Sequence, residues 1–145
     1  MSQARFGLST AHINHVSVAE AIDRCVELGV DGVEFFVEEY TVEQCREIAD
    51  RAGEAELAID YHAPWDGPYD FGLTDRDTAL SHLEQAIART RLMGATHCIC
   101  HLGRYNMDIS GGREQAIDNV IDITLTLKDA IRDAGVQLVY EDNTL

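Results

Sequence analysis

Five short runs of apolar and β-branched residues alternate with longer stretches of helical periodicity, and no other feature constrains the fold of this chain as tightly. The runs are Arg5 to Thr10, Gly32 to Val37, Leu57 to His62, Thr96 to His101 and Val136 to Glu141. Between them, apolar residues recur three and four apart: Val18, Ile22, Cys25 and Val26; then Val42, Cys45, Ile48, Ala49 and Ala52; then Leu80, Leu83, Ile87 and Thr90 from about Asp75; then one long stretch from Gly111-Gly112 through Ile117, Val120, Ile121, Thr124, Leu127 and Ile131. Ser17 with Glu20 and Thr41 with Gln44 have the spacing of capping boxes, and Gly29, Gly53, Gly94 and Gly135 stand where left-handed stops are expected. Strands alternating with amphipathic helices build right-handed βαβ units, hence an α/β fold on a parallel sheet. Periodicity does not say whether that sheet closes into a barrel or stays open. Ser9-Thr10-Ala11-His12 lacks the glycines of a dinucleotide fingerprint, which counts against the open dinucleotide-binding form.

Three of the runs end in a residue that binds metals. The third delivers His62, the fourth His101 and the fifth Glu141. Side chains alternate along a strand, so His62 shares a face with Asp60 and Ala58, His101 with Ile99 and His97, and Glu141 with Val139 and Gln137. In a parallel barrel the carboxyl ends of such faces point at the mouth where functional residues gather. Two imidazoles and a carboxylate with an open fourth position form the ligand set of a hydrolytic or Lewis-acid zinc site, and the set also suits manganese. On the mouth loops, Trp65, Tyr69 and Tyr105 are candidate faces for a substrate.

Composition excludes other classes. The chain carries 26 acids against 11 bases, a formal charge of −15, so a general nucleic-acid or anionic-membrane surface is not expected. Lys128 is the sole lysine, and that acidity with arginine as the main base reads as adaptation to high salt, where screening suppresses self-repulsion. No apolar stretch is long enough to span a bilayer and no leader is evident, so a cytoplasmic protein is expected. Cys25, Cys45, Cys98 and Cys100 lack paired ligand spacing and read as reduced, buried small hydrophobes. With 145 residues, one domain over residues 1–145 is expected.

His62-Ala63-Pro64-Trp65, His101-Leu102-Gly103 and Glu141-Asp142-Asn143 at successive strand ends resemble the xylose-isomerase-like barrel superfamily, as do Gly7-Leu8-Ser9-Thr10 and Gly29-Val30-Asp31-Gly32-Val33-Glu34. That superfamily includes sugar and sugar-phosphate isomerases and epimerases and the endonuclease IV branch of DNA repair. The resemblance implies a partial TIM barrel of about five strands and four helices, a divalent metal (zinc or manganese) on His62, His101 and Glu141, and a catalytic role for Glu141. It implies a supporting or substrate-contacting role for Glu34 and a small sugar or sugar phosphate as substrate, with His12, Trp65 and Tyr105 on the loops as further candidate substrate contacts. His101-Leu102-Gly103 departs from the family's His-Pro-Gly. A closed eight-stranded barrel typically needs about 250 residues, so a missing C-terminal half or a homo-oligomer is expected to complete it. Two other readings stand beside the isomerase: a phosphodiesterase acting at abasic sites in DNA, and a catalytically inert truncated barrel that binds metal weakly or assembles with a partner.

Overall fold

In a computed structural model of the chain, residues 6–12, 17–36, 39–104 and 112–141 are described. Five parallel strands, β1 (Gly7–Ser9), β2 (Gly32–Phe36), β3 (Ala58–His62), β4 (His97–His101) and β5 (Gln137–Glu141), lie side by side in chain order. Helices α1 (Val18–Leu28), α2 (Val42–Glu54), α3 (Arg76–Leu92), α4 (Gly112–Thr126) and α5 (Lys128–Ala134) connect them, the α/β arrangement of part of a TIM barrel. A 3-10 turn over Thr10–His12 follows β1.

Local chemistry accounts for most boundaries. Both capping boxes form: Ser17 Oγ accepts from the Glu20 N–H at 3.2 Å while Glu20 reaches back at 2.8 Å, and Thr41 and Gln44 exchange the equivalent bonds. Gly29 and Gly135 end α1 and α5 in the left-handed conformation. Gly53 does not end α2; it lies inside the helix, which runs to Glu54, and Glu56 takes the positive φ of the reversal. The long helix expected up to Gly135 is two helices broken at Leu127. Thr124 and Thr126 hydroxyls both donate to carbonyls four residues back, at 2.6 and 2.8 Å, and such back-bonding bends a helix.

The sheet's two faces differ sharply. Val33, Phe35, Ile59, Tyr61, Cys98 and Cys100 face the helices and are buried, packed on Ile22 and Cys25 of α1, Cys45 and Ile48 of α2, Leu83 and Ile87 of α3 and Ile123 of α4. The other face carries Glu34, Asp60, His62, His97, His101 and Glu141 in register: Glu34 pairs with Asp60, Asp60 with His97, and His101 with Glu141. Val139 on this face is 40% exposed, so the face is open to solvent at β5. All four cysteines are free and buried, as their apolar settings led one to expect. Among the described residues no helix is long and apolar enough to cross a membrane.

Candidate metal centre at the strand ends

The last residues of β3, β4 and β5 meet. His101 stands directly opposite Glu141 in the parallel register, and His62, paired with Ile99, is one step below His101 on the same face. His62 Nε2 lies 3.2 Å from His101 Nε2, and Glu141 Oε2 lies 3.7 Å from the first and 3.5 Å from the second. Among the described residues this is the group of three or more metal-ligating side chains.

These atoms suit a cation. The triangle has sides of 3.2, 3.5 and 3.7 Å, and the point in its plane equidistant from the corners lies about 2.0 Å from each, the length of a zinc bond to imidazole nitrogen or carboxylate oxygen. The tautomer suits it as well. His62 Nδ1 is 3.0 Å from the Ala63 carbonyl, which can only accept, so Nδ1 carries the proton and Nε2 presents its lone pair to the centre. The 3.2 Å gap equally suits a hydrogen bond from His101 Nε2–H to His62 Nε2, so a proton or a cation can hold the two rings together. Burial, and secondarily the neighbouring His62, hold the His101 pKa below the ordinary histidine value, with Glu141 opposing. Depressed in this way, His101 is a neutral imidazole at neutral pH.

Aromatic rings wall the imidazoles. Trp65, 43% exposed, stacks on His101 with centroids 5.7 Å apart and planes 25° from parallel. Phe36, at the end of β2, covers His62 at 4.5 Å. Both imidazoles are buried, whereas the Glu141 side chain is 51% exposed, so the carboxylate is the solvent-facing member of the three.

The remaining candidates lie elsewhere or outside the described residues. Glu34 sits two residues before the end of β2, level with Asp60 rather than His62, and its carboxylate accepts from Ser9 Oγ at 2.7 Å. It belongs to a polar layer one step down, where His97 Nδ1 bonds Asp60 at 2.8 Å. The structure thus does not bring Glu34 to the imidazoles. His12 ends the 3-10 turn after β1, and its side chain lies outside the described residues, as does Tyr105. Sequence reasoning missed Phe36, whose place at a strand end beside His62 was a usable signal, and Asp70, a buried carboxylate inside a turn-rich loop that no periodicity marks.

Comparison with known proteins points the same way. A family model described as xylose isomerase-like TIM barrel matches residues 22–143. A search of the curated proteins finds no match. Among solved structures, D-psicose 3-epimerase from Clostridium cellulolyticum, determined with D-tagatose, is similar with a TM-score of 0.79 at 12% identity, covering 93% of this chain and 51% of its own. The IOLI protein with a binding zinc atom gives 0.74 at 10% identity, over 96% and 51% of the two chains. Endonuclease IV from Thermus thermophilus gives 0.57 at 18% identity, over 94% and 51%. The chain thus spans about half the length of these proteins. Five parallel strands joined by helices, and a family match over residues 22–143, lead to one conclusion: the chain belongs to the xylose isomerase-like TIM barrel family.

Proposed function

We propose that this chain carries part of the active centre of a divalent-metal-dependent sugar or sugar-phosphate isomerase or epimerase, with His62, His101 and Glu141 as ligands of zinc or manganese. The observation that carries the reading is the ligand triangle, whose dimensions match metal bonds to its three atoms. Such a metal, when bound, polarises a carbonyl and its neighbouring hydroxyl and lowers the cost of removing the adjacent proton. The chain's own groups prepare that chemistry. The Ala63 carbonyl keeps the His62 proton on Nδ1, burial keeps His101 neutral, and Glu141 supplies the negative charge that offsets a dication. Phe36 and Trp65 pack against the two imidazoles, and the half-exposed Trp65 offers an apolar face to a sugar ring.

Elemental analysis tests the reading. The protein loaded with zinc or manganese and desalted should retain stoichiometric metal, and His101→Ala should lose it. Metal content unchanged by that substitution would show the site to be elsewhere.

A second reading is a metal-dependent phosphodiesterase at abasic sites, favoured by the paired imidazoles and by the similarity to endonuclease IV. The charge of −15 stands against binding a polyanion. Nicking of an abasic-site duplex by the zinc-loaded protein, with no epimerisation of ketohexoses, would reverse the ranking.

A further inference from the structure

The loops that follow β3 and β4 each contribute to the wall of the centre: Trp65 rides on the first, and His101 is the root of the second. A buried carboxylate ties them together. Asp70, whose side chain is only 3% exposed, accepts from the Arg104 main-chain N–H at 2.8 Å through Oδ1 and from Arg104 Nε at 2.7 Å through Oδ2. The loop presenting it is braced from within. The Asp70 N–H donates to the Gly67 carbonyl at 3.1 Å, the Asp70 carbonyl accepts from the Leu73 and Thr74 N–H groups, and the buried Tyr69 hydroxyl accepts from Arg89 of α3 at 2.8 Å.

Both loops are shaped for this contact. Gly103 holds φ +89°, and a Cβ there would lie 2.5 Å from the Gly72 nitrogen and 2.7 Å from Asp70 Oδ1. A Cβ on Gly72 would run into the Arg104 carbonyl and approach Ala116. The backbones therefore meet as closely as they do only because both positions lack a side chain.

A carboxylate this deeply buried is costly unless paired, and the pair lies close in sequence to two residues of the centre. Asp70 lies five residues past Trp65, and Arg104 three past His101. The contacts close a ring: His101 leads to Gly103 and Arg104, Arg104 binds Asp70, Asp70 shares a braced loop with Trp65, and Trp65 stacks back on His101.

We propose that Asp70 is a positioning residue for the metal centre: gripping Arg104, it locks the Trp65 loop against the loop after β4 and so fixes the indole on His101 and the direction of His101 Nε2. The metal part of this rests on the ligand reading above; the locking of the loops does not. Contacts that orient a ligating imidazole without touching the metal typically change affinity by about 10–100-fold when removed.

Asp70→Asn in the whole chain is the test. Asparagine keeps the size and can still accept from the Arg104 N–H, but it turns an amide N–H₂ toward Arg104 Nε. Zinc affinity, read by competition with a chromogenic chelator, should fall about 10–100-fold. In metal-free protein, acrylamide quenching of Trp65, the chain's only tryptophan, should increase while far-ultraviolet circular dichroism stays unchanged. A fall in melting temperature alone, with zinc affinity and quenching as in wild type, would make Asp70 merely structural and overturn the proposal. Increased quenching with unaltered zinc affinity would overturn the control of His101. If wild type binds no zinc, the ligand reading fails instead, and quenching alone still judges the loop lock. Should Asp70→Asn fail to fold, Arg104→Gln keeps the main-chain bond, loses the Nε contact, and is expected to move both readouts in the same directions by less.

Discussion

Replacing Gly103 with alanine should destabilise the protein well beyond the cost of a left-handed residue, and Gly94 provides the internal control. Gly103 has φ +89° and its added Cβ would meet Gly72 N at 2.5 Å, Asp70 Oδ1 at 2.7 Å and Phe71 N at 3.0 Å; Gly94 has φ +70° and nothing within 4 Å. The left-handed conformation costs an L-residue about 1–2 kcal/mol at either position. At Gly103 the contacts are backbone and a buried carboxylate rather than the end of a flexible side chain, so relief requires moving a loop, at about 1–3 kcal/mol more. The expected losses are therefore about 2–5 kcal/mol for Gly103→Ala and about 1–2 kcal/mol for Gly94→Ala. Urea unfolding followed by circular dichroism measures both, provided the denaturant slopes agree. Equal losses in the two variants would refute the close approach of the two mouth loops.

Two further outcomes follow from the protonation and burial of particular groups. The lowered pKa of His101 means that the unfolded chain binds its proton more readily than the folded one, so stability should decline as pH falls from the ordinary histidine value through the lower folded value. Histidine NMR of metal-free protein should place that midpoint below 6.5, and His101→Gln should remove this part of the pH dependence; a midpoint above 6.5 would contradict the burial argument. Cys25, Cys45, Cys98 and Cys100 are buried, and burial pushes the Cys25 and Cys45 thiols up. A thiol reagent should leave all four unreacted in native protein and titrate 4 in denaturant, whereas rapid native labelling of any would show that the helix layer opens locally.

The sequence by itself determined those features whose causes are local. Ser17 and Thr41 start helices because each hydroxyl and its partner three residues on satisfy neighbouring backbone groups. His62, His101 and Glu141 each close a strand-like run, so any parallel sheet with these strands adjacent brings them to one end; that they share a face follows from the register that sets His62 beside Ile99 and His101 beside Glu141. Only tertiary structure decided the rest. Gly53 stays helical because glycine permits a stop without imposing one, and the turn is made where the chain must enter β3. Glu34 lies within the second apolar run, two residues before its strand ends, and the pairing of β2 with β3 sets it level with Asp60, one layer below His62 and beside Ser9. Asp70 is silent in the sequence because burial in a loop follows no period, and its role exists only where a second loop, 34 residues on, brings Arg104 to it. The metal-sized spacing of three side chains depends likewise on strand register and on the packing of Trp65 and Phe36, distances that residue order constrains but does not specify.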